Sequence, residues 1–268
     1  MMQMQLVTLV ANSLESASLE FAPFRSSGGI KQINEFREFT MSKRTGLAVM
    51  VGVALSLAAT TSFAEGGGWY FGVTGGEAKA ADLDQATLDD IVLFAFESNG
   101  AEVLSGSSTF DDSDTSFSLF GGYRFSEYFA VEAGYVDFGT VEYRSSGMVD
   151  LIGSPMPATY SIDFEAKGFT ATAVGSVPLG TAFDLHGRAG ILFADTKITE
   201  TASIASFSDR FSYSANSQDF FYGLGVGLHL AQHWSFSLDW QQFKDVGDDE
   251  ETGESDVNRL SLGVIYRL

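Results

Sequence analysis

No cysteine occurs among the 268 residues, so the fold is held without disulfides, which is compatible with an exported protein that needs none. Positive charge is scarce. Fifteen lysines and arginines stand against 35 aspartates and glutamates, a formal charge of −20, and nucleic acid is excluded as a partner for want of a basic footprint. The strongly apolar stretch Leu47 to Ala59 has thirteen residues where a spanning helix needs about 20, so no transmembrane helix is expected there. Signatures of chemistry are missing too. His186, His229 and His233 have no serine and orienting acid in a recognisable order. Asp111, Asp112 and Asp114, and the run Asp248 to Glu251 with Glu254 and Asp256, supply oxygen ligands without the spacing of a calcium loop and read as solvated acidic segments. No catalytic residue, cofactor or resident metal is therefore expected.

What is present is a period of two. From Phe220 to Leu230, Phe220, Tyr222, Leu224, Val226, Leu228 and Leu230 alternate with Gly223, Gly225, Gly227 and His229. Successive side chains of a strand point to opposite faces, so one face is greasy and the other small and polar. Trp234, Phe236, Leu238 and Trp240 repeat the pattern against Ser235, Ser237, Asp239 and Gln241, and Leu260 to Leu268 repeats it again. A soluble barrel would turn its apolar face inward and cover the outside with Lys and Glu. Here the polar face is mostly Gly and Ser with isolated charges, which suits a cramped lumen, and the apolar face is left to meet lipid.

Eight such segments follow one another, at 69–78, 115–125, 128–143, 160–177, 182–198, 218–230, 234–246 and 258–268. An even count lets the sheet close. The links alternate in length: short around Ser126-Glu127, Pro178 to Thr181 and Ala231 to His233, and long and polar at 79–114, 144–159, 199–217 and 247–257. The expected fold is all-β: an eight-stranded antiparallel transmembrane barrel with short periplasmic turns and long extracellular loops. The first long link carries a helical spacing in Leu88, Ile91, Val92 and Ala95, with Asp89 and Asp90 placed in its first turn and Asn99-Gly100 as its stop. This helix is expected outside the bilayer, over the barrel mouth or against the membrane surface, as a packed ornament of the loop.

Ahead of the strands, Met41, Lys43 and Arg44 precede the apolar stretch and the small-residue ending Ser62-Phe63-Ala64, the pattern of a cleaved secretory signal peptide. The division is thus 1–40 as a non-native or dispensable extension, 41–64 as the signal peptide and 65–268 as the barrel. The last part holds 10 Lys or Arg against 31 Asp or Glu, a net charge of 10 − 31 = −21.

Phe120-Gly121-Gly122-Tyr123-Arg124-Phe125, Phe129-Ala130-Val131-Glu132-Ala133-Gly134-Tyr135 and Gly187-Arg188-Ala189-Gly190 resemble the second, third and fifth strands of the OmpA-like transmembrane domain, a family of small outer-membrane β-barrels. The order of turns and loops is similar across 65–268. The chain departs from full-length relatives in stopping at the eighth strand, without a periplasmic peptidoglycan-binding domain, and in ending on Leu268 where an aromatic is commoner; cell-wall tethering is not implied. The resemblance implies a cell outer-membrane location, contact with outer-membrane lipids and lipopolysaccharide, and insertion by the barrel-assembly machinery. Surface-loop partners are open.

Inward charges form the candidate site. Glu132, Arg188 and Asp239, with Arg124, Arg259 and His186, are expected to compensate one another in the lumen, as structural packing first and as a gate second. An eight-stranded barrel is just wide enough for side chains to fill. Trp69, Tyr128, Phe129, Trp234 and Tyr266 near strand ends are the expected interfacial aromatics. A structural or surface-interaction role is the leading reading; a narrow gated ion channel and a lipid-modifying enzyme are the alternatives.

Overall fold

The computed structural model describes residues 67–98, 100–151, 153–248 and 252–268. The extension at 1–40 and the expected signal peptide at 41–64 lie outside the described residues. The elements are β1 (Gly68–Ala80), α1 (Gln85–Ser98), β2 (Glu102–Asp111), β3 (Ser113–Arg124), β4 (Phe129–Leu151), β5 (Ser154–Leu179), β6 (Phe183–Ile204), β7 (Phe207–His229), β8 (Trp234–Asp248) and β9 (Gly253–Arg267).

Every pairing is antiparallel, and eight strands make a ring in the order β1-β3-β4-β5-β6-β7-β8-β9. Pairing of the first strand with the last closes it, from Tyr70↔Arg267 to Ala80↔Val257. The ninth strand, β2, stands outside this ring and pairs with the far half of β4 alone. One end carries the short turns at 125–128, 180–182 and 230–233; the other end rises well past the ring.

That rise departs from the sequence expectation. The segments at 144–159 and 199–217 are not loops but continuations of β4–β5 and β6–β7, paired up to Leu151↔Ser154 and Ile204↔Phe207. Period two persists through them with its chemistry inverted. On β5, Phe169, Ala171 and Ala173 point outward in the ring, but farther along the same outward face carries Lys167, Glu165, Asp163, Ser161 and Thr159. The inward face changes the other way, to Ala166, Phe164, Ile162, Tyr160 and Ala158. An exchange of faces without a break in the strand is expected where the surroundings change from lipid to water. A search for apolar alternation ends at that level although the strand does not.

Beyond the exchange, β2, β4, β5, β6 and β7 form a curved crown. Its concave side buries Tyr143, Val149, Tyr160, Ile162, Ile198 and Ile204 against Leu88, Val92, Ala95 and Phe96 of α1. The helix therefore lies over the mouth, packed into the crown rather than on the membrane. It starts earlier than expected: Asp84 caps it, accepting from the Thr87 N–H at 3.0 Å and the Thr87 hydroxyl at 2.8 Å, so Asp89 and Asp90 fall beyond the first turn. Gly100, at φ 79°, ends it, with Ala101 N–H bonded to Phe96 O at 3.1 Å and Gly100 N–H to Glu97 O at 3.0 Å. Bulges between Asp137 and Thr140 and between Phe243 and Val246 mark the level where ring gives way to crown.

One crown residue makes stability depend on pH. Burial pushes the Glu200 carboxyl above its ordinary range, in a setting shared with Tyr160 and Tyr213. A folded-state pKa above the unfolded value favours the fold when the group is protonated, so this contribution is complete below the ordinary glutamate range and is lost as pH rises through the raised value. Hydrogen exchange of α1, corrected for intrinsic rates, should show stronger protection at pH 4 than at pH 8. Glu200→Gln should flatten that difference, and an undiminished difference in the variant would contradict the assignment.

Candidate functional site

The ring's outer face is apolar. Trp69, Phe71, Val73, Phe117, Leu119, Phe169, Leu224, Leu238 and Leu262 are all exposed, Leu262 at 67%. The expected interfacial residues Trp69, Tyr128, Phe129, Trp234 and Tyr266 are exposed at the turn end, with Trp234 and Tyr266 cross-paired and their rings 4.9 Å apart.

Inside, the lumen is filled in layers. Nearest the turns lie Tyr70, Phe120, Ala130 and Val174 with the charged groups among them. Above them Phe221 stacks on Phe243 at 4.7 Å, and Phe138 meets Phe243 edge-on at 4.8 Å, among Leu192, Ala194, Val246 and Val257. The crown core with α1 follows. Inward aromatics were hidden by the small residues beside them: a Cβ on Gly72 would strike the Phe120 ring and one on Gly190 the Phe221 ring. Glycine on the polar face thus makes room for rings from neighbouring strands, where the sequence pattern suggested a lumen lined mainly by Gly and Ser.

The charged residues form a chain. Tyr70 donates to Glu132 at 2.8 Å; Arg188 reaches Glu132 at 3.6 Å and Asp239 at 3.4 Å. His186 bridges Asp239 at 2.7 Å and Asp184 at 2.9 Å, and Asp184 meets His229 at 2.9 Å, which in turn lies 3.1 Å from Arg267. All lie on inward positions of β1, β4, β6, β7, β8 and β9. Arg188 also stands over the Phe120 ring, 5.4 Å from its centroid.

Glu132, Arg188, Asp239 and His186 are therefore brought together, whereas two of the candidates are placed elsewhere. Arg259, 2% exposed, has neutral partners, donating to Thr74 at 2.6 Å, Ser116 at 2.9 Å and Gln241 at 3.1 Å. Arg124 stands at the turn end over the Tyr70 ring and donates to Glu127 O at 3.2 Å. Tyr70, Asp184 and Arg267 were not singled out by sequence reasoning, and His229, already placed on the small polar face, was not joined to the charged group. The inward parity of their strands was the available signal, since each shares its face with Gly or Ser.

A serine, a histidine and an aspartate do meet here: His229 lies 2.9 Å from both the Ser235 hydroxyl and Asp184. The sequence separation of these three hides the contact. Ser235 is buried, and the void beside it measures about 20 Å³. A second void of about 30 Å³ lies on the other side of Arg188 and Glu132, which line both. Each has room for about one or two waters. Of the acidic candidates, Asp112 pairs with Lys79 at 2.8 Å, Asp256 pairs with Lys244, and Asp114 accepts from Thr140 N–H at 2.9 Å.

The family profile of the OmpA-like transmembrane domain matches residues 64–268. Among curated proteins, Outer membrane protein A of Serratia marcescens is 25% identical over 229 residues, covering 84% of this chain and 56% of that protein, so the chain spans about half the length of this relative. Among solved structures, Neisserial surface protein A aligns at 13% identity with a TM-score of 0.42, over 76% of this chain and 100% of that one. Outer membrane protein OprG of Pseudomonas aeruginosa aligns at 15% identity with a TM-score of 0.37, over 76% and 98%.

Proposed function

Because this chain belongs to the OmpA-like transmembrane domain family and is an integral barrel of the outer membrane, we propose that it works as a closed anchor that holds a rigid contact surface, the crown, outside the cell. The observation that carries this reading is the filled lumen. Its voids of about 20 and 30 Å³ are separated by the Glu132–Arg188 pair, and the Phe221–Phe243–Phe138 layer blocks the way above them. A solute path would need these layers to move together.

In planar bilayers the purified chain should give no discrete conductance steps. Arg188→Ala should give none either, because the phenylalanine layer remains. Unitary steps in the parent protein whose size or open fraction changes in Arg188→Ala would overturn the anchor and favour a gated channel. That second reading has one observation of its own: Arg188 lies between Glu132 and Asp239 with neither contact shorter than 3.4 Å, a cation shared by two acceptors.

Catalysis finds less support. The Ser235–His229–Asp184 contact has no volume beside it for a lipid substrate. The outward band is suited to outer-membrane lipids, and the four lysines of the described residues, Lys79, Lys167, Lys197 and Lys244, all face outward near the level where the faces exchange. Flexible ammonium groups at that height suit the phosphates of lipopolysaccharide. The alternating apolar positions of β9 are the segment we assign to the barrel-assembly machinery.

A further inference from the structure

Between α1 and the inner face of β2, β4 and β5 lies a cavity of about 250 Å³, far larger than the voids of about 20 and 30 Å³ in the lumen. Two ties hold the helix over these strands: Gln85 Nε2 donates to the Ser108 carbonyl at 3.0 Å and to its hydroxyl at 2.8 Å, and the Tyr143 hydroxyl donates to Asp89 at 2.6 Å. The hollow has a cause in the sequence. Gly106 of β2 pairs with Gly147 of β4 at the inward parity of Tyr143 and Val149, so two neighbouring floor positions carry no side chain. A Cβ on Gly147 would strike the Ser105 carbonyl, beside the register shift between Val103 and Ser105, and that position must stay bare. A Cβ on Gly106 would meet only the Ser146 carbonyl, at 3.7 Å, with open space around it.

Val92, Val103 and Val149 give the cavity apolar walls, and Phe96, Tyr143 and Tyr160 give it aromatic ones. Asp89 and the exposed Asp90 line its helix side, and no lysine, arginine or histidine is among the lining residues. We propose that this cavity binds a small organic cation, an ammonium group on an aromatic or branched apolar body, with the body under α1 and the ammonium at Asp89 and Asp90.

Size, charge and an unused polar group select that occupant. An apolar cavity of about 150 Å³ holds benzene, so this one takes a ring with a short side chain and is too small for a lipid or a peptide. Charge decides the head group. Asp89 gives one oxygen to the Tyr143 hydroxyl, and Asp90 has no partner among the described residues. The crown's arginines do not neutralise the pair, because both face outward: Arg144 is held by Glu142 at 2.9 Å and Asp163 at 3.3 Å on the opposite face of β4, and Arg210 is exposed on β7. Carboxylates and phosphates are therefore repelled, whereas an ammonium group meets two carboxylates and aromatic walls. Tyr160, 1% exposed, lines the same cavity, and its hydroxyl makes no hydrogen bond of ordinary geometry. A buried hydroxyl left without a partner marks a place that a ligand or a water would complete.

The inference rests on the crown as the working surface, which the conductance measurement tests separately. The probe is phenylpropylamine, with phenylpropanol and phenylpropanoate as uncharged and anionic counterparts of the same body, titrated into the full chain in nanodiscs of zwitterionic lipid at neutral pH. Amide resonances of α1 and of β2 at 103–108 should shift with the amine and saturate. The alcohol should bind about fivefold more weakly or worse, and the acid about tenfold or worse. Asp90→Asn, a change at an exposed helix position, should bring the amine close to the affinity of the alcohol while leaving the alcohol's own affinity unchanged. Gly106→Leu, which fills the floor, should abolish saturable shifts with all three compounds. Equal affinity for amine, alcohol and acid, an Asp90→Asn variant that binds the amine as the parent does, or shifts that never saturate and match partition into empty nanodiscs would each overturn the proposal.

Discussion

Arg188→Ala should lower the unfolding free energy of the barrel by about 3–5 kcal/mol, the usual consequence of removing one partner from a buried ion pair. Arg188 is the cation between Glu132 and Asp239, and all three side chains are buried. Without it, Glu132 keeps the Tyr70 hydroxyl and Asp239 keeps His186, but two carboxylates face each other across a void with no guanidinium to compensate them. Arg259→Met is the informative comparison. Its partners Thr74, Ser116 and Gln241 are neutral, so its removal leaves unpaired dipoles rather than uncompensated charges and should have the smaller effect. Urea unfolding in lipid vesicles measures both. A loss under about 1 kcal/mol for Arg188→Ala would mean that the carboxylates are hydrated, and the lumen is wetter than its voids imply.

Leu238→Arg should destabilise the barrel by about 2–4 kcal/mol, the range for a cation on the lipid face near mid-membrane, whereas Thr159→Arg on the outward face of the crown should change stability by less than about 0.5 kcal/mol. Leu238 is exposed and pairs with Val226 and Leu262, both outward and apolar, and lies between Trp234 and Trp240 on the outward face of β8. In water the same substitution would be harmless, because an exposed leucine contributes little there. The contrast between the two sites therefore reads the solvent on each side of the level where the faces exchange. Equal, small effects at both positions would contradict a lipid-facing band.

Much of the ring was legible because one rule, alternate faces in different solvents, governs every strand. The starts of β1 and β8 and the turns at 125–128, 180–182 and 230–233 fall within a residue or two of their expected places, since glycine, proline and polar residues interrupt the alternation there. The crown was not legible by the same rule: in 199–217 the outward residues are serines, threonines, Arg210 and Asn216, so an apolar-outward template sees only a polar link. The site divides in the same way. Inward charges on well-patterned strands, Glu132, Arg188 and Asp239, are visible from parity alone. What joins them is not, because Asp239 meets His186 across 53 residues and Glu132 meets Tyr70 across 62, distances that barrel closure sets rather than local sequence. Phe221 and Phe243 were overlooked for a related reason, since each follows an outward residue of the lipid band or its rim and reads as part of it until the strand register is known.

The chain has three tryptophans, Trp69, Trp234 and Trp240, and all are outward and exposed on the ring. Their fluorescence in vesicles of brominated lipids tests the lipid-facing band directly. Strong quenching by bromine on the acyl chains, with little quenching by aqueous acrylamide, is the predicted result; fluorescence that acrylamide quenches and brominated lipid leaves untouched would contradict it.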